Sequence, residues 1–68
     1  MDPKAYAITV TLEHESGDPV YVARVKEFPD VEVFEGTREE AYNAVLGVIE
    51  DLYDHLKEVG VTPPEPGE

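Results

Sequence analysis

The sequence predicts an α+β fold: a three-stranded antiparallel β-meander with one long α-helix packed on one face (β-β-β-α). Three observations carry this. Residues 5–13 alternate apolar and polar side chains. Two further β-rich runs follow at 20–26 and 31–35. A helix start at Thr37 then opens a stripe of apolar residues at helical spacing that stops at Gly60.

In the first strand, 5–13, Tyr6, Ile8, Val10 and Leu12 share one face, and Ala7, Thr9, Thr11 and Glu13 the other, as in a half-buried strand. His14 to Pro19 collects Glu, Ser, Gly, Asp and Pro and reads as a hairpin loop. In the second strand, 20–26, Val20 and Val22 lie opposite Tyr21, Ala23 and Val25. Either both faces are covered or one apolar patch stays exposed. Phe28-Pro29 breaks the ladder, because proline has no N–H to give. Residues 31–35 make a short third strand.

The helix is expected over 38–58, about 31 Å long at 1.5 Å per residue. Thr37 is a good N-cap, and Glu40 stands three residues on. The Thr37 hydroxyl can accept from the Glu40 N–H while the Glu40 carboxylate reaches back to the N–H of Thr37. Gly36 lets the chain turn just before the cap. Ala41, Ala44, Val45, Val48, Ile49, Leu52, Leu56 and Val59 form the stripe that faces the sheet. Gly60 is placed to end the helix in a left-handed conformation, ahead of the proline-rich tail, 60–68.

A 68-residue chain forms one domain, 1–68. Such a chain buries only about 60% of the surface its unfolded form exposes. With no cysteine, neither a disulfide nor a thiolate–zinc site can add stability. Self-association into a dimer or tetramer is the remaining way to bury more surface. The chain has no basic start followed by an apolar run, and no apolar stretch near the roughly 20 residues of a membrane span. Sixteen acids against 5 bases leave a net charge of −11. That balance argues against direct binding of nucleic acid, whose phosphates are neutralised by Lys and Arg. A basic partner is attracted instead, although surplus carboxylates also keep a small protein soluble.

The order of several pieces resembles the HicB-like antitoxin family. Its members show a tyrosine near the start of the first strand, a Y-V-A-x-V strand, a P-G corner and a G-x-T-x-E-E-A helix entry. Here these read as Tyr6, then Tyr21-Val22-Ala23-Arg24-Val25, Pro29-Asp30, and Gly36-Thr37-Arg38-Glu39-Glu40-Ala41, with Pro63-Pro64-Glu65-Pro66 in the tail. The structural motif residues of the resemblance are Tyr21, Ala23, Pro29, Gly36, Thr37, Glu40, Ala41 and Gly60. Asp30 replaces the usual glycine, and Asp tolerates left-handed backbone angles better than most residues. The resemblance implies the β-β-β-α plan of a partial ribonuclease-H-like fold. It also implies a cytoplasmic protein that neutralises HicA, a small basic ribonuclease that cleaves messenger RNA. Longer relatives carry a DNA-binding module after the tail. This chain stops at Glu68, so their autorepression does not carry over. A stand-alone, homo-oligomeric scaffold or regulatory module with no toxin partner is the competing reading.

The residues point to a partner-binding surface on the helix rather than to a catalytic centre. Tyr42, Leu46 and Tyr53 flank the core stripe on one side; either they form an interface, where tyrosines with an apolar neighbour are enriched, or they fold down over the sheet edge and widen the core. Glu40, Glu50, Asp51, Asp54 and Glu58 line much of the opposite surface. Glu50–Asp54 and Asp54–Glu58 are like-charge pairs one turn apart, each mildly unfavourable in an isolated helix. A nearby cation or screening by water must offset them. The partner surface is therefore placed on Tyr42, Leu46, Glu50, Tyr53 and Asp54. Asp30, Glu32 and Glu35 are the closest approach to a metal cluster, but Glu32 and Glu35 differ in strand parity and point to opposite faces. His14 and His55 read as surface histidines, His55 as an i,i+4 partner of Asp51. Neither a nucleophile constellation nor a phosphate-cradling glycine loop is present. No catalytic residue, metal or cofactor is expected.

Overall fold

The computed structural model describes residues 2–67. Strands β1 (Ile8–Glu15), β2 (Asp18–Val25) and β3 (Phe28–Glu35) form one antiparallel sheet in the order β1-β2-β3. Helix α1 (Arg38–Glu58) packs across one face of it. The helix bounds are those read from the sequence, whereas β1 and β2 differ at both ends and β3 differs at its start but ends at Glu35 as expected. The last residue of the tail, Glu68, lies outside the described residues.

The chain opens with a 3₁₀ turn, Pro3–Ala5, where β1 was expected to begin. Proline presets the backbone for the first helical position, and the Asp2 carboxylate accepts from the Lys4 N–H at 3.0 Å. Tyr6 therefore stands outside the strand, yet it is buried in the core. The expected loop from His14 to Pro19 shrinks to two residues. β1 and β2 stay paired as far as Glu15↔Asp18. Ser16 (φ 51°) and Gly17 (φ 87°) both take left-handed angles. That is the two-residue turn whose twist matches a β-hairpin.

β3 starts at Phe28, not at Val31. Val25 pairs with Phe28 and Arg24 with Glu32, so residues 29–31 fall outside the ladder. Pro29 sits in this irregularity, where its missing N–H costs no strand pairing. Ser16 is the single described non-glycine residue with positive φ. Asp30 therefore makes no use of its tolerance for left-handed angles, and the chain reverses at Lys26-Glu27 instead.

The core is the face between sheet and helix. Ala23 and Val25 of β2, Phe28 of β3 and Tyr6 meet Ala41, Val45 and Ile49 of α1. Leu52 and Leu56 pack at its margin. Val59 does not belong to the core stripe: it is 57% exposed and serves as the C-cap. The helix has already passed the sheet at that point. On the other sheet face, Val22 is fully buried without any covering layer. It sits on the central strand between Thr11 and Phe34 of its neighbours, which shield it. The open alternative for β2 resolves both ways: Val22 is covered, and beside it Phe34 remains 48% exposed.

The helix ends follow local chemistry. The Thr37 hydroxyl oxygen accepts from the Glu40 N–H at 3.1 Å. The reciprocal half of the capping box takes another form, because the Thr37 hydroxyl donates to the Glu40 carboxylate at 2.9 Å. Gly36 has no left-handed φ, and a Cβ there would meet only the Glu40 carboxylate at 3.9 Å, so the turn does not require glycine. Gly60 does take the left-handed angle, with φ 82°. Its N–H reaches the Lys57 carbonyl at 3.2 Å, and the Val61 N–H reaches that of Leu56 at 2.8 Å. This is the paired C-terminal closure that lets the chain leave the helix abruptly.

Thr37→Ala removes the cap acceptor, and chemical denaturation should show a loss of about 1 kcal/mol with an unchanged slope. An unchanged midpoint would show that the cap does not hold the helix start.

Candidate functional site

The helix flank proposed for partner binding occupies two separate recesses. Tyr42 is half-buried at the helix N-terminal end, in an open groove of about 640 Å³ that it lines with Val10, Thr37, Arg38 and Glu39. The Arg38 guanidinium lies 5.3 Å from the Tyr21 ring centroid and donates to the Val10 carbonyl at 3.1 Å. Tyr53 stands three turns further along and lines a recess of about 380 Å³ with Tyr6 and the tail from Thr62 to Pro66. Lys57 Nζ sits 5.4 Å from the Tyr53 ring centroid. Leu46 is half-buried between the two positions along the helix, and Glu50 and Asp54 are exposed. The five residues therefore run along one side of α1 but do not converge on a single pocket.

The acidic face is poor in counter-charge. Among the described residues both salt bridges belong to Arg24, on the sheet face away from the helix. Arg24 reaches Glu13 at 2.8 Å and Glu32 at 2.9 Å. This joins all three strands across the open face. Hydrogen bonding from Arg24 holds the Glu13 carboxyl below its usual range, against an opposing effect of burial and with help from the Thr11 hydroxyl. Glu39, Glu50, Asp51, Asp54 and Glu58 on α1 are all exposed, and none takes part in these bridges. The expected pairing of His55 with Asp51 is not formed, and both histidines are exposed.

The described residues include no group of His, Cys, Asp or Glu placed to hold a metal ion. Glu32 is drawn to Arg24 on the open face, while Glu35 pairs with Tyr21 on the helix side, as strand parity requires. No described helix is long and apolar enough to cross a membrane.

Sequence reasoning missed Glu27. It sits in the β2–β3 turn and is buried to 9% exposure. Its carboxylate accepts from the Ala7 N–H at 3.0 Å and 3.2 Å and from the Gly67 N–H at 2.6 Å. Beside it the Tyr6 hydroxyl donates to the Pro64 carbonyl at 2.8 Å. One carboxylate thus ties the entry to β1, the turn and the tail together. Burial pushes the Glu27 carboxyl up, but the N–H groups of Gly67, Glu27 itself and Ala7 outweigh it, with help from Lys26, and the net shift is down. Burial, followed by the Tyr53, Glu27 and Glu65 side chains, raises the Tyr6 hydroxyl above its ordinary value. In the sequence Glu27 is one acid among 16, and nothing local marks it.

Comparison of the chain with protein-family models, with curated proteins and with solved structures finds no match in any of the three.

Glu27→Gln should destabilise the fold by roughly 1.5–3 kcal/mol at neutral pH, the range for hydrogen bonds to a charged group. Because the folded carboxyl is lowered below its unfolded value of about 4.3, its contribution is complete above that pH. It fades as pH falls through the folded value. Denaturation of wild type and variant along an acid series should show the gap closing below about pH 4. A gap that persists at the acid end would mean that the carboxylate charge is not what ties the tail.

Proposed function

We propose that this protein is a HicB-like antitoxin, or derives from one, and acts in the cytoplasm by binding a small basic ribonuclease of the HicA type. The observation that carries the reading is the uncompensated acidic side of α1. Glu50, Asp54 and Glu58 stand at successive turns, exposed and outside the salt bridges. Like charges at this spacing are unfavourable in isolation, and an opposing basic surface relieves them. Carboxylates on a rigid helix replace the RNA phosphates that such a ribonuclease binds. Tyr42, Leu46 and Tyr53, beside them, supply apolar surface for close packing. In this reading the chain has no catalytic role, holds no cofactor and makes no direct contact with nucleic acid. The β-β-β-α plan agrees with the family, although a fold by itself does not specify function.

A second reading, a stand-alone homo-oligomeric module, is favoured by the free edge of β1, which lies at one side of the sheet.

Co-expression with a basic ribonuclease encoded in a neighbouring reading frame is the test. The chain should restore growth and co-purify with the ribonuclease. Glu50→Gln with Asp54→Asn should slow association and flatten its dependence on salt, read by stopped-flow or biosensor kinetics. Wild-type rates in the double variant would move the partner surface off the helix. Persistent messenger RNA cleavage in the presence of excess protein would remove the antitoxin reading.

A further inference from the structure

We infer that the outer edge of β1 is a self-pairing surface. Two copies join there, antiparallel and centred on Val10, into one continuous six-stranded sheet with both helices on the same face. The inference deepens the oligomeric part of the reading above and does not require a toxin.

Backbone parity comes first. The Ala7 carbonyl accepts from the Lys26 N–H at 3.0 Å, in line with the register that runs Ile8↔Val25 to Glu15↔Asp18. Antiparallel strands alternate, so odd residues of β1 turn their N–H and C=O toward β2 and even residues turn theirs outward. Ile8, Val10, Leu12 and His14 therefore present an outward row of donors and acceptors, in which the Val10 carbonyl already accepts from Arg38. Arg38 reaches the Val10 carbonyl from outside, consistent with that direction. A carbonyl has two lone pairs, so this contact leaves room for a second donor.

The two sheet edges are then unlike. On β3, Pro29 lacks a donor, residues 29–31 leave the ladder, and Asp30, Glu32 and Glu35 add charge. These are the usual devices that stop an edge from pairing. On β1, eight consecutive residues pair with β2 without a bulge, and Ile8 to Leu12 contain neither proline nor a charged side chain. Such an edge is a template for another strand.

The sequence of this edge is its own complement. Ile8-Thr9-Val10-Thr11-Leu12 reads apolar, Thr, Val, Thr, apolar in both directions. With Val10 opposite Val10 of the second copy, Ile8 faces Leu12 and Thr9 faces Thr11. Even residues pair with even, so the outward backbone groups meet. Side chains that face each other share a sheet face. Leu12, now 48% exposed, gains an apolar neighbour. Thr–Thr pairs across strands are favourable. A register shifted by two residues would instead set Ile8 against His14.

Charge selects the same edge. The chain carries −11, so two copies repel, yet residues 3–12 hold one lysine and no acid. Residues 41–49 are likewise free of acid. Tyr42 from that stretch lines the groove beside Val10, together with Arg38 and Glu39, whose charges are opposite. A second copy is the occupant that this palindrome and this neutral strip both fit.

Sedimentation over a concentration series into the millimolar range should show mass rising from 7.6 kDa toward twice that value. In the dimer, the amides of Ile8, Val10 and Leu12 should gain protection from hydrogen exchange, while those of Thr9 and Thr11 are protected at every concentration. Val10→Pro deletes one outward donor and should weaken dimerisation about tenfold or more while keeping the circular dichroism of the fold. If that variant fails to fold, Leu12→Lys, at an exposed position, should give the same loss. Phe34→Lys, on β3, should leave the dimer intact. A single 7.6 kDa species throughout would overturn the inference. So would a dimer that survives both β1 variants, or one abolished by Phe34→Lys alone. A dimer that leaves the ribonuclease active keeps this interface and removes the antitoxin reading. Neutralisation by a monomer does the reverse.

Discussion

One helix covers one face of a three-stranded sheet, and the rest of the molecule depends on that contact. Ala41, Val45 and Ile49 are fully buried against Ala23 and Val25. Ala23 and Ala41 are both fully buried in this core, and the larger side chains pack around them. Burying a Val or Ile side chain is worth about 1.5–3 kcal/mol, so a handful of these residues dominates the favourable side. With a single helix there is no second layer. The other sheet face and both sheet edges are left to be managed by different means.

Each of those surfaces is handled in its own way. On the open face, Arg24 is held between Glu13 and Glu32, so its charge and stem lie over the central strand. The lower end of the core is closed by the tail, which returns beneath Tyr6 and is tied through Glu27. The β3 edge is blunted by Pro29 and its local irregularity. The β1 edge alone keeps a regular ladder, with Arg38 on one of its outward carbonyls. A small protein that tolerates such an edge either limits its own concentration or uses the edge.

Charge divides the surface in a related manner. The acids of α1 fall in two groups, Glu39 and Glu40 in its first turn and Glu50, Asp51, Asp54 and Glu58 in its second half, whereas residues 3–12 and 41–49 hold none. The proposed basic partner and the proposed second copy are thus assigned to different parts of the same molecule. The two proposed interactions can coexist, because the first is drawn by the acidic field and the second needs its absence. Tyr42 stands at the boundary between them.

The helix was legible in the sequence to the residue, because its limits are set locally. Thr37 supplies an acceptor to a backbone N–H three residues on, and Gly60 supplies an angle that other residues avoid. The strands were legible in number and facing, since alternation is also a local signal, but not in extent. Where β1, β2 and β3 end depends on which residues find partners across the sheet. Ser16-Gly17 could close a tight turn only because Glu15 and Asp18 pair, and Pro29 could sit inside a strand only because its segment leaves the ladder. The site divides the same way. Sequence periodicity alone placed Tyr42, Leu46, Glu50, Tyr53 and Asp54 on one side of the helix. That Tyr42 and Tyr53 lie in separate recesses, one against β1 and one against the tail, was decided by packing between distant segments. Glu27 is the clearest case. Its partners Ala7 and Gly67 are 20 and 40 residues away, and only the folded chain brings their N–H groups to one carboxylate.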